Sequence, residues 1–467
     1  MIETNYNVPL ELRELFSAEQ AFHFRLIPTK KEKGVLYCLT DQEDTAQKQR
    51  ERTILLDHKI ELLPISSKEF SEYYHRNYHK AETKSNTSLN ASDDLLQKIL
   101  TTAKNSNSSD IHIEVYKNKG RVRLRLDGKL KEFFTVPKED YSMMINKIKV
   151  QARLDIAEKR LPQDGRISIE NSGNSLDIRV AVMPTLYGEK VVLRLLGQNI
   201  TKTNLSDLGL TPNDLKHYRK ATAVSQGILL ISGPTGSGKT TTLYATLKEL
   251  NTSKENILTI EDPIEYTLEG INQVQVNEAI GLTFPHALRS FLRQDPDVIM
   301  VGEIRDEKTA QIAIRAALTG HLVLATIHTN SAWGTISRLL DMGIPHFLIA
   351  ETLKISIAQR LVRCLCKACK KKNNSPHPLL SGVDQYYVAV GCEKCHFTGY
   401  KGRMALYEVI PITPKIGSLI REKKEMIGKK NRNKNKIKQL SDRALEAVQK
   451  GLTAPEEVVS LLKLDPQ

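Results

Sequence analysis

Apolar positions along this chain follow two rhythms. From Asp110 to Leu126 they alternate with polar ones: Ile111, Ile113 and Val115 come first, then Val122, Leu124 and Leu126 interleave with Arg121, Arg123 and Arg125. A period of two marks strands with one face buried and one face wet. KNKG between the two runs and Asp127-Gly128 after them supply turn chemistry, and RISIE, SLDIRVAV and KVVLRLL continue the series. Residues 91–203 are therefore expected to form a small mixed α/β domain. After Leu205 the rhythm changes. GILLIS, NILTI, DVIMV and HLVLATI are short, nearly unbroken apolar runs separated by helix-length segments, the pattern of a parallel sheet covered on both faces. A larger α/β domain is expected over 204–467. Ahead of both, residues 1–90 carry the apolar clusters GVLYCL and TILLDHKIELLPI, which suit a small α+β module. The polar stretch EFSEYYHRNYHKAETKSNTSLN that follows reads as a linker.

Each of the four apolar runs ends on polar or ionisable residues, and open α/β sheets bind ligands at the carboxyl ends of their strands. The four ends should converge on one crevice. GILLIS leads into GPTGSGKT, that is Gly233, Pro234, Thr235, Gly236, Ser237, Gly238, Lys239 and Thr240. In this P-loop pattern the glycines permit a tight loop, backbone amides face phosphates, the lysine reaches the β and γ oxygens of ATP and the hydroxyl of Thr240 helps hold Mg2+. Glu261, Asp262 and Glu265 follow NILTI, Glu303 follows DVIMV and His328 follows HLVLATI. Glu303 ends the most apolar strand and is assigned to Mg2+ and the catalytic centre. Glu265 is assigned to water activation, with Glu261 as its competitor, and His328 to sensing the γ-phosphate. Any one of these carboxylates alone is as readily a salt-bridged loop residue, and a lone histidine a structural donor. Their shared strand-end placement favours catalysis. His321 is left open between the two readings.

Composition changes the picture at three points. At 467 residues the chain exceeds what one core usually organises. Four of its six cysteines form two CxxC pairs, Cys366 with Cys369 and Cys392 with Cys395, a spacing suited to a closed tetrahedral Zn2+ site of structural role within a module at 364–396. Cys364 and His396 are near enough to be alternative ligands. No basic start followed by an apolar stretch opens the chain and no apolar run would span a bilayer, so a cytoplasmic location is expected. The net charge of +14 is concentrated late: residues 421–438 hold nine lysines and arginines against Glu422 and Glu425. Such a block is most simply a solvated linker or exposed helix, with contact to an anionic membrane surface or to nucleic acid as the other reading. A nucleic-acid translocating ATPase is the alternative for the whole chain, but no aromatic-and-basic stacking platform and no helix-turn-helix pattern accompanies the charge.

SDIHIE, AEKRLPQDGRI, the P-loop, ILTIEDPIEY, LRQDPDVIMVGEIRD, GHLVLATIHTN and the CxxC pairs, in this order, resemble the hexameric ATPases that power type II secretion and type IV pilus assembly, over about residues 91–465. The resemblance implies a RecA-like P-loop NTPase domain after the smaller domain, nucleotide between the two lobes and a homo-hexameric ring. It further implies, as partners, the inner-membrane platform and cytoplasmic-domain proteins of a secretion or pilus machine, with peripheral membrane association through them. It also points to four arginines that would neutralise charge on the transferred phosphoryl group: Arg179 and Arg194 from the first lobe, Arg289 and Arg293 from LRSFLRQDPD. The bland reading of Arg179 and Arg194 is an outward charge on a half-buried strand. Three features depart from the family: Ala332 is followed by Trp333 where Ala-Pro is common, the amino-terminal region is shorter than in many type II members, and the lysine-rich stretch near 421–438 is not a hallmark. The motifs do not choose between type II secretion and pilus extension.

Overall fold

The alternating segment near residue 110 opens a six-stranded sheet in a computed structural model of the chain, ordered β6-β5-β4-β9-β8-β7. Its strands are β4 (Asp110–Val115), β5 (Lys119–Leu126), β6 (Lys129–Pro137), β7 (Gln163–Asn171), β8 (Asn174–Thr185) and β9 (Gly188–Leu196). The structure describes residues 59–78, 91–171, 174–196, 204–377, 385–422 and 437–463 without interruption, together with parts of 8–42 and Leu380 and Val383. Most of the basic block at 421–438 lies outside the described residues. Contacts divide the chain into two units, Met1–Leu195 with Gly391–Thr398, and Leu196–Val390 with Gly399–Gln467.

In the first unit the period of two sends Ile111, Ile113, Val122, Leu124, Val180 and Leu193 to one face of the sheet, where they pack with Ile99 of α2 (Ala91–Asn105) and Ile145 and Ile148 of α3 (Lys138–Gln151). The opposite face is an ion-pair lattice. Glu114 accepts from Arg121 at 2.9 Å and Arg123 at 2.7 Å, with Lys190 at 3.3 Å. Burial alone would raise the Glu114 pKa, but the hydrogen bonds from Arg123 and Arg121 outweigh it and hold the carboxyl at about 2. A folded pKa below the unfolded one stabilises above the unfolded pKa and loses that contribution as pH falls through the folded value. Glu114→Gln is therefore expected to cost about 1–2 kcal/mol near pH 7, by leaving partly solvent-screened cations unpaired, with the gap to wild type closing between pH 4.5 and about 2 in denaturant titrations.

The amino-terminal part of the first unit holds a three-stranded sheet, β1 (Ile27–Glu32), β2 (Val35–Thr40) and β3 (Lys59–Pro64), followed by helix α1 (Ser67–Tyr78). The helix corrects the linker reading for the start of the tyrosine-rich stretch. Phe70, Tyr73, Tyr74 and Asn77 recur at helical spacing, Phe70 is fully buried, and Tyr73 and Tyr74 pack on the same small core. High polarity masked the stripe. Residues 79–90 lie outside the described residues.

The second unit is built on a seven-stranded sheet ordered β12-β11-β13-β14-β10-β15-β18. The four apolar runs became β10 (Gly227–Ser232), β11 (Ile257–Glu261), β13 (Val298–Ile304) and β14 (Leu322–Ile327), joined by β12 (Asn272–Gln275), β15 (Leu353–Leu365) and β18 (Tyr400–Pro411), while β16 (Lys371–Asn373) and β17 (Tyr386–Val388) pair separately. β10, β11, β13, β14 and β15 pair in parallel, and β18 closes one edge antiparallel to β15. Both faces are covered, which is why the runs show no alternation. Leu229 and Ile231 pack with Leu243, Tyr244 and Leu247 of α5 (Lys239–Leu250) and Tyr218 of α4 (Pro212–Thr222). Ile228 and Leu230 face the other way into the core that includes α6 (Phe284–Phe291), α7 (Glu307–Leu318) and α8 (Ala332–Asp341). Trp333 belongs to that core, 4% exposed, and its indole Nε1 finds no hydrogen-bond partner among the described residues.

Candidate nucleotide and metal sites

Parallel pairing brings the carboxyl ends of β10, β11, β13 and β14 to one edge of the sheet. The turn out of β10 is Gly233–Thr240, and α5 begins at Lys239, with Gly238 in the left-handed region at φ 88°. Gly233 has no alternative. Its φ is 149°, and a β-carbon there would fall 2.5 Å from the Gln359 carbonyl oxygen and 2.6 Å from Ser237 Oγ. Lys239 is buried and donates to Gly233 O at 2.8 Å and Pro234 O at 3.1 Å. Burial lowers its pKa, partly offset by the charge of Glu303. Ser237 Oγ is buried without a hydrogen-bond partner among the described residues, while Pro234, Thr235, Gly236 and Thr240 are exposed. A buried ammonium, an unsatisfied hydroxyl and a helix amino terminus on one tight turn fit a phosphate group.

Glu303 reaches this edge through an irregularity. Pairing of β13 with β14 shifts register between Val301 and Ile304, and Thr326 Oγ1 donates to Gly302 O at 2.6 Å across the break. The bulge re-aims Glu303, whose side chain is 15% exposed. Arg305 pairs with one Glu303 oxygen and His328 Nε2 lies 3.4 Å from the other. Arg305 also approaches Asp262 at 3.8 Å, linking the loops after β13 and β11. Thus Lys239, Glu303 and His328 are brought to the same edge.

The other carboxylates separate. Glu261 is buried and both its oxygens are engaged: Tyr244 OH and Thr259 Oγ1 donate to it, Thr259 at 2.6 Å, as does Gln273 Nε2 at 3.0 Å. Burial, followed by the neighbouring Glu261 charge, raises the pKa of Tyr244, and that of Tyr266 to about 12. Glu265 is half-buried in the following loop, and its backbone amide bonds to Tyr244. His321 sits at the start of β14, away from the strand's carboxyl end, with Nδ1 3.0 Å from Ala316 O at the end of α7. That is a structural contact. Arg289 and Arg293 are exposed on and just after α6, Arg293 donating to Arg289 O at 2.9 Å. Arg179 and Arg194 belong to the first unit. Arg179 lies on β8 between the buried Ile178 and Val180, and Arg194 donates to Asp110 at 2.9 Å. Burial pushes the Asp110 pKa up, but Arg194 holds it below its ordinary value.

Two residues next to the P-loop were not among the sequence candidates. Gln359 and Arg360 follow the register pair Ser232↔Ala358 on β15, and Thr242 Oγ1 donates to Gln359 Oε1 at 2.9 Å. They lie mid-strand, not at a strand end, so the rule that found Glu303 and His328 passes over them. The available signal was a Gln-Arg pair inside the otherwise apolar KISIAQRLV.

The four sulfurs of Cys366, Cys369, Cys392 and Cys395 lie within 4.8 Å of one another, with Cys392 and Cys395 Sγ 3.7 Å apart. Zn–S bonds of about 2.3 Å in a tetrahedron separate sulfurs by about 3.8 Å, so the cluster is compatible with zinc. Cys364 and His396 are not members of it.

Residues 85–460 match the family described as type II/IV secretion system protein. The chain is 44% identical over 376 residues to the type II secretion system ATPase E of Vibrio cholerae serotype O1, covering 79% of this chain and 75% of that one. It is 48% identical over 337 residues to the type IV pilus assembly ATPase PilB of Myxococcus xanthus, covering 70% and 60%. Among solved structures it resembles the pilus retraction motor PilT with bound ADP at a TM-score of 0.55 and 27% identity, over 79% of this chain and 96% of that one.

Proposed function

The chain belongs to the type II/IV secretion system protein family, and from that premise we propose that it hydrolyses ATP to power assembly of a type II secretion pseudopilus or a type IV pilus at the inner membrane. The observation that carries the proposal is the P-loop edge of the second unit, where Lys239, Glu303 and His328 stand together at the ends of parallel strands. Gly233–Thr240 and Lys239 would hold the triphosphate. Thr240 and Glu303 would hold Mg2+, which supplies charge neutralisation on the phosphates. Glu265 is proposed to orient the attacking water, because the hydrogen bonds on Glu261 leave that residue a structural role. His328, 3.4 Å from Glu303, is proposed to report on the γ-phosphate through that contact. Arg179, Arg194, Arg289 and Arg293 are proposed to bring positive charge to the phosphoryl group in a homo-hexameric ring, with residues 91–203 serving as the arginine-bearing lobe.

No helix among the described residues is long and apolar enough to cross a membrane. The platform and cytoplasmic-domain proteins of the machine are proposed as the partners through which the work reaches the membrane. The relatives support both machines and give no support to nucleic-acid translocation. Deleting the gene and scoring secreted proteins and surface pili tests the proposal: loss of either identifies the machine, and loss of neither refutes the reading. Stimulation of the ATPase by DNA but not by membranes would also count against it.

Zinc is proposed as the ion of the four-cysteine cluster, in a structural role, since four thiolates leave no open position. Protein purified under reducing conditions is expected to carry about one Zn2+ per chain. Cys366→Ser with Cys395→Ser should lose the metal and unfold at a lower temperature. Wild-type protein free of zinc by elemental analysis would contradict the assignment.

A further inference from the structure

Arg360 is 6% exposed, and its two terminal nitrogens are committed to different parts of the site. Nη1 donates to the Gln359 carbonyl at 3.0 Å, and Nη2 donates to the Asn330 carbonyl at 3.0 Å. Asn330 stands two residues after His328. The guanidinium also lies against the P-loop itself, because a β-carbon on Gly233 would fall 3.2 Å from Nη1. Lys239 meets Gly233 from its carbonyl, so this first P-loop residue is held between two cations. Among the described residues no carboxylate forms an ion pair with Arg360, and Glu408 acts on it through its charge alone. A buried guanidinium without a carboxylate partner is a standing attraction for an anion.

We propose that Arg360 is a positioning residue of the nucleotide site: it fastens the loop bearing His328 to the strand that lies against the P-loop at Gly233, and lends its charge to the bound polyphosphate. This rests on the nucleotide-hydrolysis reading given above. The planar fork explains why arginine is used. One rigid group donates to the Asn330 carbonyl on the His328 loop and to the Gln359 carbonyl of its own strand, which faces Gly233, a pair that the single ammonium of a lysine holds less firmly. His328 therefore keeps a constant position relative to Lys239 while a nucleotide enters.

Arg360→Lys and Arg360→Met in the full chain separate the two contributions. The readouts are binding of a fluorescent ADP analogue, with affinity and stoichiometry, and steady-state ATP turnover. Arg360→Lys keeps the charge and loses the fork, so turnover falls about tenfold while ADP-analogue affinity stays within about twofold and binding remains at wild-type stoichiometry. Arg360→Met loses both, and affinity drops about tenfold as well. Intact stoichiometry excludes a misfolded fraction as the cause of slow turnover. Wild-type affinity and turnover in Arg360→Met overturn the proposal. Should Arg360→Met fail to bind at full stoichiometry, wild-type turnover in Arg360→Lys overturns it and a tenfold loss supports it. Absence of ATP turnover in the wild-type chain would instead refute the hydrolysis reading, and analogue affinity in the two variants would then judge the positioning role alone.

Discussion

Lys239→Ala is expected to reduce ATP turnover on the order of 1,000-fold and to weaken nucleotide binding, with little change in fold. The lysine amine is already desolvated against Gly233 O and Pro234 O, so its charge acts through a medium that screens it poorly. Truncation removes that charge from the one position where β and γ oxygens would meet it. The structural cost is smaller, because Gly233 stays shaped by its contacts with Gln359 and Ser237. Turnover and thermal unfolding measured on the same preparation check both halves. A variant that unfolded early would mark the lysine as a loop strut, not a phosphate ligand.

Glu303→Gln should be the second large effect and a differently shaped one. The substitution keeps volume and hydrogen bonding but removes the charge that faces Arg305, His328 and Lys239. Turnover is expected to fall by roughly 100- to 1,000-fold, while nucleotide affinity remains within a few-fold of wild type, because the P-loop is untouched. The bulge at Gly302 and the Thr326 contact that aims Glu303 do not involve its side chain, so the loop should hold. A variant retaining most of its turnover would assign Glu303 to the Arg305 ion pair alone.

Legibility in the sequence followed the physics of each signal. β10, β13 and β14 were visible because strands buried on both faces read as unbroken apolar runs, and their ends were visible because a polar residue interrupts each run. The tetracysteine cluster was legible from spacing, since each CxxC turn can present two sulfurs to one centre. Helix α1 was not, because Phe70, Tyr73 and Tyr74 are diluted by charged neighbours. The sequence sets Glu265 ahead of Glu261 for water activation but shows no physical reason for the order, since Glu261 ends β11 and Glu265 lies in the loop just after it. The distinction lies in Tyr244, Thr259 and Gln273, which close around Glu261 from three other positions. Arg360 escaped for a related reason: its neighbour Gly233 is more than a hundred residues earlier in the chain and is reached only through the parallel pairing of β10 with β15.

The most direct test of the account is phosphate release from ATP with excess Mg2+, measured on the purified full chain beside its Lys239→Ala variant. The account predicts turnover by the wild-type chain and a rate near the uncatalysed background for the variant. Equal rates in the two proteins would contradict it.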